Sequence, residues 1–135
     1  MSVADTQRMP VDATMVKRRV AQFTSRSIKS GMKAQGLRMC MGMVDLTTLE
    51  GKDSPEKVRA LCAKAMNPAG GSGAMKQPVP AVAAVCVYPN LVRVAKEALH
   101  GSSVKVAAVA TGFPSGQYPL DIRLRDVRDA VEAGA

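Results

Sequence analysis

VAAVCVY, residues 82–88, is the stretch that decides the fold. It is an uninterrupted, valine-rich apolar run of strand length. Such a run is typical of a strand that is covered on both faces, as in a parallel sheet. The next segment, LVRVAKEALH (91–100), repeats apolar residues at helical spacing, and Gly101 follows it as a helix-ending residue. The pattern therefore predicts a buried strand followed by a helix.

The same pattern lies on the N-terminal side of this unit. MCMGMVD (39–45) predicts a buried strand, and DSPEKVRALCAKAM (53–66) predicts a helix. Asp53 is the expected N-cap of that helix, and Glu56 would complete a capping box. The Gly- and Pro-rich residues 67–80 then form a connection.

A third unit lies on the C-terminal side. VKVAAVA (104–110) predicts a strand, and a helix capped by Asp121 follows, with Leu124, Val127 and Val131 expected to face inward. Alternation of strands and helices predicts an α/β fold with a parallel sheet and right-handed crossovers. Periodicity alone does not decide between an open sheet and a barrel.

The N-terminal segment differs in composition from the rest. Residues 1–11 predict a flexible tail, and residues 12–36 predict one helix that Gly36 would end, leaving 37–135 as the α/β domain. Residues 1–38 carry eight of the 19 basic side chains and two of the 11 acidic ones, within a chain of net charge +8. Aromatic residues for base stacking are scarce, so the pattern favours a solvated basic helix face over nucleic-acid binding.

The three cysteines indicate a reducing environment. Their number is odd, and the sequence has neither a CxxC pair nor a nearby pair of histidines, which argues against a disulfide framework and a zinc site. Cys40 and Cys62 are expected in the core. A cytoplasmic protein without a membrane span or a signal peptide fits best.

Three stretches together resemble the deoxyribose-phosphate aldolase family. They are MVDLTTLEGKDSPEKVRALCAKA (43–65), AAVCVYPNLV (83–92) and VKVAAVATGFPSGQ (104–117), and their order and separations also match. The resemblance covers roughly residues 35–135 and implies the first three strand–helix units of a (β/α)8 TIM barrel, which is incomplete here because a barrel needs about 250 residues. It implies reversible cleavage of 2-deoxyribose 5-phosphate to glyceraldehyde 3-phosphate and acetaldehyde through a lysine Schiff base, without metal or cofactor.

The resemblance also implies an active-site wall. Asp45, expected at the end of the first strand, would hold a substrate hydroxyl or take part in proton relay, or else would cap its loop. Thr47 would contact substrate or its own backbone, and Leu49 would line the pocket. Cys86 would face the pocket without being the nucleophile, or would be a core cysteine. Phe113 would pack beside substrate or plug the strand end.

The catalytic lysines of this family lie on later strands, so none can be matched to a position here. Lys105 lies near the start of its strand, the end of a barrel associated with stability, and is not nominated. We therefore expect the isolated chain to be inactive and, with its sheet edges exposed, to self-associate or form a homo-oligomer. Three hypotheses stay open: part of a longer aldolase, half of a split aldolase completed by a separate chain, or a non-catalytic half-barrel that binds partners through its basic helix.

Overall fold

The computed structural model describes residues 10–70 and 78–135. Most of the predicted tail and residues 71–77 of the predicted connection lie outside these ranges. The elements, in chain order, are α1 Ala13–Thr24, α2 Ser30–Met41, β1 Asp45–Thr47, α3 Pro55–Met66, β2 Ala84–Val87, a 3-10 turn Pro89–Leu91, α4 Val92–Ala98, β3 Lys105–Ala108 and α5 Leu120–Ala133.

The strands of the described residues form one parallel sheet in the order β1-β2-β3. Leu46 pairs with Val85, and Val85 pairs with Val106, so the strands are in register along their length. A helix follows each strand, and α4 packs between α3 and α5. The predicted α/β class, with its parallel sheet, is confirmed.

The core lies between the sheet and the helices that cover one of its faces. Val85 and Val87 of β2 are fully buried, as are Val58 and Cys62 of α3. Val92, Ala95 and Leu99 continue this cluster along the helix that follows β2. The buried run at 82–88 is therefore the centre of the sheet, as its composition predicted.

The chain divides into two compact units, Met1–Lys33 and Ala34–Ala135. In the first unit, Asp12 caps α1 by accepting hydrogen bonds from the backbone N–H groups of Thr14 (2.9 Å) and Met15 (3.0 Å). None of the residues described in this unit is buried. The second unit contains the sheet and the core.

The prediction of a single helix over residues 12–36 is wrong. It is interrupted between Thr24 and Ser30, and the second helix continues through Gly36 to Met41. At the interruption, the hydroxyls of Thr24 and Ser25 donate to backbone carbonyls one turn earlier. Such local side-chain bonds compete with continuation of a helix, and no glycine or proline marks the place in the sequence.

The first strand also lies later than expected. Residues 39–41 end α2, a turn follows, and β1 begins only at Asp45. A short apolar run such as MCM fits either a helix end or a buried strand, so periodicity could not separate the two. As a consequence, Cys40 is exposed and does not lie in the core.

Two expected helix starts need correction. Ser54, not Asp53, caps α3, because its hydroxyl accepts from the backbone N–H of Lys57 at 3.2 Å. Pro119 is the N-cap of α5, and Asp121 lies in its first turn. Asp53 lies one residue before the N-cap of α3, and Asp121 lies two residues after the N-cap of α5.

The apolar residues expected to point inward from α5 are exposed. Leu124, Val127 and Val131 are 46%, 37% and 62% exposed, whereas Ala130 is buried. The helix packs against α4 and the 89–91 turn, and Ala130 lies on its buried side. No other part of the chain that the structure describes covers the apolar stripe next to Ala130.

Candidate active site

One face of the sheet gathers three of the predicted site residues. Thr47 pairs with Cys86, and Asp45 pairs with Ala84, one row earlier on the same two strands. Because side chains alternate along a strand, Asp45, Thr47 and Cys86 share the face opposite Val85 and Val87. Asp45 opens β1 and Thr47 closes it, which corrects the expectation that Asp45 ends the strand.

The Cys86 thiol is held in its neutral form. Burial raises its pKa, and the nearby Asp45 charge raises it further, while a hydrogen bond with the Thr47 side chain opposes both. Thr47 also donates to the carbonyl oxygen of Asp45 at 3.3 Å. A protonated thiol is a weak nucleophile, so this cysteine is suited to shaping a pocket rather than attacking a substrate.

A network of polar side chains fixes the connection from β1 to α3. The Asp53 carboxylate accepts hydrogen bonds from the Thr48 hydroxyl and the Glu50 backbone N–H, each at 2.9 Å. The Lys57 ammonium lies 2.7 Å from Asp53 and 2.5 Å from Glu50. The Asp53 side chain is only 2% exposed, so its contacts replace the water that it has lost.

The network shifts the pKa values of its members in opposite directions. The hydrogen bond from Lys57 is the main cause that lowers the pKa of Asp53. The hydrogen bond to Asp53, followed by that to Glu50, raises the pKa of Lys57. Sequence reasoning took Asp53 only as a helix cap and did not predict this network.

Tyr88 fastens the same connection to the end of β2. Its hydroxyl donates to the carbonyl oxygen of Leu49 at 3.3 Å. Leu49 is half-buried, and the bond holds the segment beyond Thr47 against the segment beyond Cys86. Sequence reasoning missed Tyr88, which had been taken only as the last residue of an apolar strand.

A side chain of α5 holds the loop that carries Phe113. The Asp126 carboxylate accepts from the backbone N–H groups of Thr111 (2.7 Å) and Gly112 (3.4 Å), both of which have positive φ. A Cβ on Gly112 would run into the Tyr118 ring, and its φ is +75°, so the position favours glycine. Phe113 itself is 47% exposed.

A pocket of about 340 Å³ lies between this loop and the first turns of α5. It is lined by Gly112, Tyr118, Ile122, Arg123, Arg125, Asp126 and Asp129. The Nε of Arg123 is buried there without a hydrogen-bond partner among the described residues. None of the five predicted wall residues lines this pocket, so it is distinct from the face that carries Thr47 and Cys86.

Within residues 10–70 and 78–135, no three His, Cys, Asp or Glu side chains cluster in a way that could hold a metal ion. No helix in this part of the chain combines the length and hydropathy needed to cross a membrane.

The fold and the site define a parallel α/β protein with polar side chains near the strand ends on one face of its sheet. No family model matches the chain. It is 42% identical to the deoxyribose-phosphate aldolase of Mus musculus and 38% identical to that of Homo sapiens. Each match covers 95% of this chain and 42% of the relative, so the chain spans about two fifths of the relatives' length.

A solved structure gives the same result. The crystal structure of a candidate deoxyribose-phosphate aldolase from Coccidioides immitis matches with a TM-score of 0.59 and 28% identity, over 73% of this chain and 34% of that one. The predicted resemblance is therefore confirmed: the chain is similar, over nearly its whole length, to deoxyribose-phosphate aldolases.

Proposed function

We propose that this chain forms the first three strand–helix units of a (β/α)8 aldolase barrel. The reaction of the complete protein would be reversible cleavage of 2-deoxyribose 5-phosphate to glyceraldehyde 3-phosphate and acetaldehyde. The observation that carries the proposal is the pairing of Thr47 with Cys86, on the face that also holds Asp45, in a chain whose relatives have this name. Barrels of this type form their active sites at the C-terminal ends of the strands.

Each wall residue would then have a role that suits its chemistry. The exposed Asp45 and Thr47 would hydrogen-bond the substrate hydroxyls or the groups that relay protons. Leu49 and Phe113 would supply apolar contacts. Cys86, neutral because its pKa is raised, would line the pocket without reacting.

The Schiff-base lysine would come from outside this chain. A lysine that attacks a carbonyl must lose its proton, which requires a lowered pKa. Lys57 lies in α3, shortly after the wall residues on β1, but its two carboxylate partners raise its pKa. Lys105 and Asp45 both pair with Ala84 and lie in one row of the sheet, so Lys105 is set aside only because the family resemblance places the Schiff-base lysine on a later strand. We therefore propose that the isolated chain is inactive and that the rest of the barrel, in the same or a separate chain, completes it.

A basic interaction module is the competing proposal. The described part of the first unit is exposed, and the guanidinium groups of Arg19 and Arg26 lie 5.8 Å from the centroid of the Phe23 ring. However, the matches to mammalian aldolases cover 95% of the chain, so they include α1. That extent supports α1 as part of the aldolase.

The free cysteines support a proposal for the compartment. Cys40, Cys62 and Cys86 are free thiols, and two of them are buried. We propose that the protein works in the reducing cytoplasm, on a phosphorylated sugar.

Borohydride trapping tests the proposal, because borohydride converts a Schiff base into a stable amine. The chain alone, incubated with deoxyribose 5-phosphate and borohydride, should show no mass increase. When it is mixed with the part of the Mus musculus relative that it does not match, an adduct should form on a lysine of that part. Asp45→Asn should reduce trapping by at least about tenfold, whereas Asp121→Asn, outside the site, should not. An adduct on the isolated chain would overturn the proposal.

A further inference from the structure

The pocket beside helix α5 does not belong to the proposed active-site wall. It has a volume of about 340 Å³ and lies between the loop after β3 and the first turns of the helix. A volume of this size falls within the range of sites that bind small molecules. Two arginines, two aspartates, an isoleucine, a tyrosine and a glycine line the pocket, so its wall combines charged groups with an apolar surface.

Arg123 is the residue of this wall that lacks partners. Its side chain is half-buried, and its Nε is buried without a hydrogen-bond partner among the described residues. In this part of the chain, the cations that form ion pairs are Lys52, Lys57 and Arg59, so no described carboxylate lies within pairing distance of Arg123. A buried N–H donor without an acceptor is costly, and in native proteins such a donor usually has a partner. An acceptor oxygen from outside the chain would supply it.

The two aspartates of the wall differ in what they already bind. The Asp126 carboxylate is engaged, because it accepts from two backbone N–H groups of the loop after β3. Asp129 is exposed and forms no ion pair with a residue that the structure describes. The pocket therefore presents the positive charges of Arg123 and Arg125 together with one carboxylate that can still accept a hydrogen bond. This combination suits a ligand that carries both an anionic group and a hydroxyl group.

We propose that this pocket binds a small hydroxylated anion, a phosphate ester or a carboxylate, through the guanidinium group of Arg123. A planar guanidinium pairs with either oxyanion through two parallel N–H bonds. Because its Nε touches no solvent, the side chain must turn this edge toward the pocket as the ligand binds. Arg125 adds a second positive charge, and Asp129 accepts from a hydroxyl group of the ligand. The exposed Tyr118 ring covers its carbon skeleton.

The pocket lies away from the part of α5 that no described residue covers. Three of its lining residues share one side of the helix, because they follow the spacing i, i+4 and i+7: Ile122, Asp126 and Asp129. The α5 stripe, which consists of Leu124, Val127 and Val131, lies on nearly the opposite side, since successive residues of a helix are turned by about 100°. A segment that covered the stripe would leave these residues open. The inference therefore does not depend on the proposed aldolase function.

The test is a titration of the isotope-labelled 135-residue chain, followed by nuclear magnetic resonance. The probes are glycerol 3-phosphate, which carries a phosphate, glycerate, which carries a carboxylate, and glycerol, which carries hydroxyl groups alone. We expect at least one of the anions to shift the Nε–H signal of Arg123 and the backbone N–H signal of Gly112, and glycerol to shift neither. The anion that binds more tightly identifies the ligand as a phosphate ester or as a carboxylate.

Three variants separate a specific site from general attraction to a basic chain. Arg123→Gln removes the guanidinium and should weaken binding of the preferred anion by at least about tenfold. Arg123→Lys keeps the charge without the paired N–H donors and should weaken binding nearly as much. The matched control is Arg128→Gln, which removes the same charge from α5 outside the pocket and should leave the affinity within about twofold. All three should keep the circular dichroism spectrum of the original chain.

Several results would overturn the site. Equal loss of affinity in Arg123→Gln and Arg128→Gln would show only attraction to the positive chain. Equal shifts with glycerol and the two anions, or no shift with either anion, would contradict an anion site. Full affinity in Arg123→Lys would contradict recognition by the guanidinium. If Arg123→Gln unfolds the chain, Arg125→Gln in the same wall replaces it, and an unchanged affinity in that variant would also overturn the proposal.

Discussion

The three cysteines lie in different environments. Cys40 is exposed at the end of α2, whereas Cys62 and Cys86 are buried. Burial raises the pKa of the Cys62 thiol, and burial together with the Asp45 charge raises that of Cys86. Since only the thiolate reacts, burial and a raised pKa both disfavour reaction of Cys62 and Cys86, whereas Cys40 is accessible.

We expect iodoacetamide to label Cys40 first in the folded chain. Because burial and the Asp45 charge raise the pKa of Cys86, its labelling should be slow at neutral pH and rise only in alkaline solution. Mass spectrometry of peptides, over a pH series, measures both rates. Cys40→Ser should abolish the fast phase, and rapid labelling of Cys86 at neutral pH would contradict the neutral pocket thiol.

Asp53 offers a second test because it is a nearly buried carboxylate with three partners. Its lowered pKa means that its stabilising effect is present above the unfolded pKa, near 3.8, and is lost as pH falls through the lower folded value. Asp53→Asn should therefore lower the melting temperature at pH 7, and the difference from the original chain should shrink below about pH 4.

Thermal unfolding followed by circular dichroism measures this difference. The control is Asp121→Asn, which removes a carboxylate from the first turn of α5, outside the network around Asp53. A difference for Asp53→Asn that is independent of pH would show that the ion pair does not stabilise the connection.

These contacts also show which parts of the candidate site could not be predicted from the sequence. The stretch around Asp45 and Thr47 and the stretch around Cys86 could be recognised because each is contiguous and distinctive. The bond from Tyr88 to Leu49 joins residues 39 positions apart, and no local pattern encodes it. The role of Asp53 was misassigned because capping by Asp53 or by Ser54 differs by only one residue, which periodicity does not resolve.

The helices and strands differ in how strongly their sequences define them. The strand at Ala84–Val87 was predicted well because valines buried on both faces leave few alternatives. The helix at Pro55–Met66 was predicted well because its proline and its apolar face agree. The first strand was misplaced because Met39, Cys40 and Met41 suit helix and strand alike. The inward face of α5 was mispredicted because its sequence carries an apolar stripe whose covering partner is not among the described residues.

Two valines on helices give a matched test of burial. Val58 of α3 is fully buried, whereas Val131 of α5 is 62% exposed. Val58→Ala should lower the free energy of unfolding by about 2 kcal/mol, from lost burial and the cavity left behind. Val131→Ala should change it by less than about 0.5 kcal/mol.

Urea denaturation of both variants measures these changes. A large loss for Val131→Ala would mean that the α5 stripe is buried in solution, for example by self-association. Repeating the measurement at several protein concentrations distinguishes that case, since only association makes the midpoint depend on concentration.

The chain as a whole combines a unit with a core and a unit without one. Every residue identified as part of the hydrophobic core lies in the second unit, between Met41 and Ala133. In the first unit, α1 is capped by Asp12 and is exposed throughout. Folding stability in this chain should therefore depend on the second unit, because burial of apolar surface is the dominant favourable term.

Removal of residues 1–29, which keeps α2 whole, tests this division. We expect the shortened chain to unfold in one cooperative transition, with a melting temperature within about 4 °C of the original, because roughly 1 kcal/mol corresponds to 4–8 °C in a domain of this size. Differential scanning calorimetry measures the midpoint and the enthalpy together. The control is a chain that keeps residues 1–29 but carries Val58→Ala, which should lose stability through the core. A loss of cooperativity on removing α1 would show that its exposed apolar residues, Val16, Val20 and Phe23, contribute to the folded core in solution.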